Sequence, residues 1–285
     1  MTSSAGRLFI VATPIGNLED FSPRAVATLT QADAILAEDT RHAKTLLQHF
    51  AIHRPLIALH QHNEAQRAPQ LIERLQAGDC LALISDAGTP LISDPGLLLV
   101  KLAHQAGIIV TPIPGPCAWI TALAAAGLPA HRFVFEGFPP RHSAARRAFF
   151  EARSAITVTW GFYEASHRIV ETLTDMAAVL PEDRTIVIAR ELTKWHETIL
   201  SGPLPALLQR ILEEENQQKG EFVVIVAGAP ESSAETLGDQ ARHTLRVLLR
   251  HHSLKQAVAI AHEITGARKK ILYQTALDWN IRITG

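Results

Sequence analysis

Two cysteines in 285 residues cannot make a disulfide framework. Cys80 opens an apolar segment and Cys117 follows a Pro-Gly-Pro turn, so a reducing cytoplasm is the expected compartment. No apolar run approaches the roughly 20 residues of a membrane span, and the first residues lack the apolar core of a secretion signal. The first apolar segment is not followed by Gly-x-Gly-x-x-Gly, and Gly-x-x-x-x-Gly-Lys-Ser/Thr is missing throughout, which removes the usual dinucleotide and nucleoside-triphosphate fingerprints. His60-Gln61-His62 has no cysteine or carboxylate at metal-ligand spacing, so no metal is expected. Charge is nearly balanced at −1, but unevenly spread: residues 1–233 carry about −5 and residues 234–285 about +4. The basic segment also holds His243, His251, His252 and His262. An acidic partner or a small helical appendage with solvated charges would each explain it.

What is present is an alternation of strand and helix. Strands are predicted at Arg7–Ala12, Ala34–Glu38, Leu56–Leu59, Cys80–Ile84 and Ile108–Ile113. Helices follow at 23–31, 40–50, 63–77, 97–107 and 118–126, with Ser22 as N-cap and Pro23 as first helical residue. This rhythm predicts a mostly parallel sheet covered on both faces. A second region has strands at Phe133–Glu136, Ile156–Tyr163, Thr185–Arg190, Glu197–Ser201 and Phe222–Ala227, with helices at 144–152, 167–180 and 205–214. Its closer strand spacing implies a mixed sheet. Ala229-Pro230-Glu231-Ser232-Ser233 reads as a linker, and three short helices near 235–251, 254–264 and 268–278 follow, compatible with a helix-turn-helix module. The expected divisions are 1–128, 129–233 and 234–285.

Ser85-Asp86-Ala87-Gly88-Thr89-Pro90-Leu91-Ile92-Ser93-Asp94-Pro95-Gly96 is the most informative stretch. It follows a strand that reads as buried on both faces, so it lies where open α/β sheets bind ligands. It is longer than a plain connection needs. Thr13-Pro14-Ile15-Gly16-Asn17-Leu18, Ala37-Glu38-Asp39-Thr40-Arg41-His42 and Pro114-Gly115-Pro116-Cys117-Ala118 end other strands. In this order the four motifs resemble those of the tetrapyrrole-methylase-like superfamily, and within it the S-adenosylmethionine-dependent ribose 2′-O-methyltransferases of small-subunit ribosomal RNA. Phe162-Tyr163-Glu164-Ala165-Ser166-His167-Arg168, Ala189-Arg190-Glu191-Leu192-Thr193-Lys194, Lys219-Gly220-Glu221 and the basic tail extend the likeness over nearly the whole chain.

The resemblance implies an α/β fold of two domains with the methyl donor in the cleft between them, a small C-terminal helical module, and a homodimer. The implied target is a cytidine ribose in the decoding region of 16S RNA, free or in the assembled 30S subunit. The cofactor loops would be Pro14-Ile15-Gly16, Ser85-Asp86-Ala87-Gly88 on to Ile92, and Cys117-Ala118, with Phe162 and Tyr163 walling the adenine. Asp86 would answer positive charge or ribose hydroxyls, although an Asx-turn is its alternative. Asp94 is assigned to capping the following helix. Methyl transfer needs an aligned hydroxyl and a proton acceptor. Glu38, Asp39, Arg41, His42, Glu191 and Lys194 are the candidates, with Lys219-Gly220-Glu221 weaker. RNA contacts are expected from Arg141, Arg146 and Arg147, in an arginine stretch interleaved with phenylalanines, and from Lys269 and Lys270. Phe149 and Phe150 are expected in the core. A corrinoid or precorrin C-methyltransferase and a non-catalytic ribosome-assembly factor are the alternatives. The first fits less well because its Gly-Gly-Asp-Pro loop is replaced here by Ser85-Asp86-Ala87-Gly88-Thr89-Pro90.

Overall fold

A computed structural model describes residues 6–230 and 237–279. The chain divides between Ala227 and Gly228 into two compact units. The first unit contains two five-stranded sheets. The boundary lies a few residues before the expected one, whose own residues fall outside the described set.

In the first sheet, β1 (Arg7–Val11), β2 (Ala34–Ala37), β3 (Leu56–Ala58), β4 (Cys80–Ile84) and β5 (Ile109–Ile113) run parallel in the order β3-β2-β4-β1-β5. Alternation of side chains across the pleat splits each strand between two cores. Leu81 and Leu83 pack with Leu71 and Leu75 of α3 (Glu64–Gln76) and Leu99 of α4 (Leu97–Gln105). Ala82 and Ile84 pack with Leu29 of α1 (Pro23–Gln31) and Leu47 of α2 (Thr40–His49). The uninterrupted apolar Cys80–Ile84 run thus follows from burial on both faces, and Ser22 caps α1 through its side chain, which accepts from the Ala25 N–H at 3.1 Å.

The helix α5 (Ala118–Ala125) leaves this sheet and covers the second one, where Trp119, Ala122 and Leu123 pack on Val187, Val223 and Ile225. The second sheet is mixed, in the order β6-β7-β10-β8-β9. It comprises β6 (Phe133–Phe135), β7 (Thr159–Ala165), β8 (Thr185–Arg190), β9 (Thr198–Pro203) and β10 (Glu221–Val226). Only β6 and β7 pair in parallel. Its far face is buried by α6 (Ser143–Glu151), α7 (Ile169–Ala177) and α8 (Leu204–Glu213). The strand expected from Ile156 begins at Thr159 instead. The Ile156 N–H donates to the Arg153 carbonyl at 3.1 Å and closes a turn, and the ladder starts where Thr159 meets Phe133.

The second unit has its own core. In it α9 (Asp239–Leu248), α10 (Leu254–Thr265) and α11 (Lys269–Asp278) enclose Leu245, Leu254, Val258 and Leu272. A capping box joins Ser253 and Gln256 at the start of α10, and Gly266 at φ 70° ends it in a left-handed cap.

Arg146 corrects an expectation. Instead of facing RNA it is 1% exposed. Its Nε donates to Asp175 at 2.8 Å and its Nη1 to the Arg141 carbonyl at 3.0 Å. Burial pushes the Asp175 carboxyl up, but hydrogen bonds from Arg147, Ser143 and Arg146 outweigh it and hold the group below its ordinary range. These contacts clamp α6 to α7, and the Phe150 side chain beside them lies in the core as expected. Removing one partner of a buried ion pair leaves the other charge uncompensated. Arg146→Ala should therefore cost about 3 kcal/mol in urea unfolding, whereas Arg147→Ala, half-exposed on the same carboxylate, should cost less than about 1 kcal/mol.

Candidate functional site

The carboxyl ends of β1, β2 and β4 meet at one edge of the first sheet, and backbone hydrogen bonds join the loops that leave them. Thr13 and Gly88 exchange amide bonds of 2.8 and 3.1 Å. The buried Thr13 Oγ1 donates to the Ser85 carbonyl at 3.2 Å, and Ser85 Oγ donates to the Gly88 carbonyl at 2.8 Å. Thr89 Oγ1 donates to the Pro116 carbonyl at 2.9 Å and so ties in the loop after β5. Gly88 has φ 88°, where a side chain is strained, and an added Cβ would come within 3.3 Å of Ile15. Leu91 and Ser93 also adopt positive φ, at 74° and 69°. Strained backbone in a loop tied at several points is a feature of ligand sites.

These loops border a cleft of about 430 Å3. Ile15, Glu38, Asp86, Ala87, Gly88, Ile92, Cys117, Ala118 and Tyr163 line it, all residues singled out from the sequence. Thr89, Ser93, Asp94, Phe138, Glu164, Leu192, Glu221 and Val223 line it as well. Among the described residues bordering it there is no lysine, arginine or histidine.

Other residues lie elsewhere. Phe162 is fully buried in the helix-covered core of the second sheet. Successive strand residues point to opposite faces, so with Tyr163 in the cleft its neighbour is turned away, which corrects the assignment of both rings to one wall. The Tyr163 Oη accepts the Trp119 N–H at 3.0 Å. Burial and the nearby Cys117 push its hydroxyl well above the ordinary tyrosine range. Pro14 and Ser85 are buried beneath the loops. Gly16 is small for a different reason from ligand approach: an added Cβ would fall 2.4 Å from Lys194 Cγ. Asp39 caps α2 and pairs with Arg41 at 2.7 Å on the surface, which removes both from the cleft. That pair and the hydrogen bond to the Arg41 N–H hold the Asp39 carboxyl far below its ordinary range. Lys194 joins Glu191 at 2.7 Å and Glu221 at 2.8 Å, and the Glu191 carboxylate also accepts the Glu221 N–H at 3.0 Å. Of the candidate proton acceptors, Glu38 and Glu221 border the cleft, and Glu221 is paired with Lys194 at 2.8 Å, which leaves Glu38.

Asp94 departs furthest from its sequence reading. It does not cap α4, whose first turn begins at Gly96 without a side-chain cap, but borders the cleft. Burial first, then the negative charges of Glu38 and Asp86, push its carboxyl up to about 7. Burial and Asp86 raise Glu38 as well, against a smaller opposing effect of His60. Asp86 Oδ1 accepts the Asp39 N–H at 3.2 Å. Glu38, Asp86 and Asp94 therefore face one space without a cation among its described lining residues, while the two further lining acids are paired with cations beyond the lining, Glu164 with Arg168 at 3.3 Å and Glu221 with Lys194 at 2.8 Å. That arrangement repels anions and favours a cationic ligand.

A carboxyl raised above its unfolded value binds a proton in the folded state that the unfolded chain has released. Stability therefore falls as pH rises from about 4 through 7, and the penalty is complete above that. Asp94→Asn removes it. The variant should melt higher than the parent at about pH 8 and coincide with it near pH 4; equal melting curves across the range would contradict the acid cluster.

Comparison with known proteins adds three findings. The sequence profile of the Tetrapyrrole (Corrin/Porphyrin) Methylases matches residues 7–208, and that of the RsmI C-terminal HTH domain matches residues 235–280. The chain is 54% identical over 277 residues to the Ribosomal RNA small subunit methyltransferase I of Pseudomonas aeruginosa, covering 96% of this chain and 98% of that one. It is 51% identical to the protein of the same name from Escherichia coli O157:H7, covering 97% and 96%. Among solved structures, the methyltransferase CobJ superposes with a TM-score of 0.57 at 20% identity, over 79% of this chain and 95% of that one. A uroporphyrin-III C-methyltransferase from Thermus thermophilus complexed with S-adenosyl homocysteine gives 0.52 at 16%, over 78% and 97%. At such identities the two structures share the fold.

Proposed function

Because this chain belongs to the tetrapyrrole methylases, and within them to the ribosomal RNA small subunit methyltransferase I family, we propose that it methylates the ribose 2′-oxygen of a cytidine in the decoding region of 16S ribosomal RNA. S-adenosylmethionine is the donor, and the chain acts in the cytoplasm as a homodimer on the RNA or the 30S subunit. The observation that carries this reading is the acid-lined cleft on loops tied together by Thr13, Ser85 and Thr89.

The residues fit the donor. Asp86, Glu38 and Asp94 suit its positive charge, Ala87 and Ala118 bring backbone amides to the cleft, and Ile15, Ile92, Leu192 and Val223 give the adenine apolar walls. When bound, the donor supplies an electrophilic methyl group on a cationic sulfur. The chain has to place a ribose hydroxyl in line with it, exclude water and accept one proton. We assign the proton to the coupled pair Glu38 and Asp94. Mutual repulsion lets one hold a proton while the other is free to accept. Lys269 and Lys270, exposed at the start of α11, are assigned to RNA phosphate contact, as is the exposed Arg141.

Incubation with labelled donor and undermodified small subunits, followed by mapping, should place one methyl on a decoding-region cytidine ribose. Transfer to a corrinoid or precorrin, or donor binding with no transfer to the subunit, would overturn the assignment. With Lys269 and Lys270 both changed to Glu, KM for the subunit should rise about tenfold and its salt dependence weaken, with donor affinity unchanged. Asp86→Ala should weaken donor binding about tenfold in calorimetry, and binding of the uncharged-sulfur product less.

A further inference from the structure

We propose that Trp195 and the cavity beside it form a stacking site for an unpaired nucleotide of the RNA substrate, separate from the donor cleft; the proposal rests on the RNA-methylating reading. Trp195 is 95% exposed, far more than any other large apolar side chain described. Loop mobility does not explain an indole left in water here, because the loop between β8 and β9 is bonded at nearly every residue around it. The Lys194 N–H donates to the Glu191 carbonyl at 3.0 Å, and the Glu197 N–H to the Lys194 carbonyl at 3.1 Å. The Thr193 N–H donates to Glu197 Oε2 at 2.6 Å, and Arg190 Nη1 to the His196 carbonyl at 2.9 Å. The Asn17 N–H donates to Thr193 Oγ1 at 3.1 Å, fixing the loop to the segment after β1. Glu191 and Thr193 hold φ of 51° and 64°. The fold strains and ties this loop, and its effect is to hold a flat aromatic surface outward.

The indole borders a cavity of about 560 Å3, lined also by Arg190, His196, Asn216, Gln217 and Lys219, which is room for a nucleotide. An aromatic face beside the Asn216 amide, an imidazole and the exposed Lys219 ammonium suits a base stacked on the ring, its edge met by Asn216 and its phosphate by Lys219, while Gln217 is bonded to Thr198 and Glu214 and Arg190 to the Lys219 and His196 carbonyls. The two acids in the wall are already engaged. Glu197 accepts the Thr193 N–H, and Glu191 accepts from Lys194 and the Glu221 N–H. Lys194 links this wall to the donor cleft, since Leu192 and Glu221 line the cleft while Glu191 and Gly220 line the cavity. A nucleotide held here lies next to the ribose presented for methylation.

Three measurements on the full chain test this. Trp195→Ala should raise KM for the small subunit about tenfold, with kcat and donor affinity within about twofold of the parent, and Trp195→Phe should restore most of the loss. The fluorescence of the parent minus that of Trp195→Phe should be quenched by a single-stranded RNA oligonucleotide. In the free protein the same difference signal should be open to acrylamide. Unchanged KM in Trp195→Ala beside an active parent overturns the stacking site and leaves the function standing. Shielding of Trp195 before RNA is added assigns the surface to a second copy of the chain and also overturns it. A parent that neither binds nor methylates the subunit overturns the functional reading, and the site with it.

Discussion

The paired amide bonds between Thr13 and Gly88 are the constraint on which the rest of the site depends. β1 and β4 are neighbours in the first sheet, in register from Arg7 with Cys80 to Val11 with Ile84. Beyond Val11 and Ile84 the chains must separate, and the Thr13–Gly88 bridge holds them together one step further. The Thr13 hydroxyl and the Ser85 hydroxyl are both bonded to loop carbonyls, so the loop around Asp86 leaves the sheet in one conformation. Thr89 extends that order to the loop after β5. Three acids can be held near one another only where the backbone carrying them does not relax. Carboxylates on mobile loops would separate until water screened them.

The fold was legible because its elements obey simple periods. The Cys80–Ile84 run is apolar throughout since both faces of the first sheet are covered, and the crossover helices follow at short spacing. In the second sheet a short loop joins Thr185–Arg190 to its antiparallel neighbour Thr198–Pro203, and Glu221–Val226 returns beyond α8 to pair antiparallel with β7 and β8, which with the parallel β6–β7 pair gives the mixed sheet that the strand spacing suggested. The site was only partly legible. The Asp86–Ile92 loop announced itself by composition, and Glu38 by its place at a strand end. Asp94 followed by Pro95 and Gly96 has the local pattern of a helix cap, and nothing nearby in sequence signals that Gly96 takes the cap position and leaves Asp94 to the cleft. Phe162 beside Tyr163 was a matter of strand parity, which the sequence contained and which decides against both rings sharing one wall. Arg146 was not readable at all: its partner Asp175 lies 29 residues away, and only the packing of α6 on α7 brings a core carboxylate to it.

Glycines illustrate the same difference between local and distant causes. Gly88 needs its left-handed backbone for the turn itself, a local demand that Gly in a loop advertises. Gly16 is required by a contact 178 residues on, where Lys194 occupies the space a side chain would take. That contact carries consequences for function. It presses the loop after β1, which supplies Ile15 to the cleft, against the loop that carries Trp195. The acid-lined cleft and the proposed stacking site are therefore parts of one tied assembly of loops, with Thr193 and Lys194 as the connection.

Charge sets the remaining problem. A cleft holding Glu38, Asp86 and Asp94 attracts a cationic donor and repels a polyanion, yet the acceptor proposed for it is RNA. The two demands are compatible only if phosphates are met away from the cleft and a neutral ribose hydroxyl alone is admitted to it. The distribution along the chain has this character. The net positive charge falls in residues 234–285, whereas no cation is found among the described residues bordering the cleft. A cleft neutralised by its own lysines would hold phosphate as readily as ribose and would not favour a charged sulfur over an uncharged one. On the proposed function, an acidic cleft and a net basic C-terminal stretch would meet a cationic donor and an anionic substrate with different parts of the sequence.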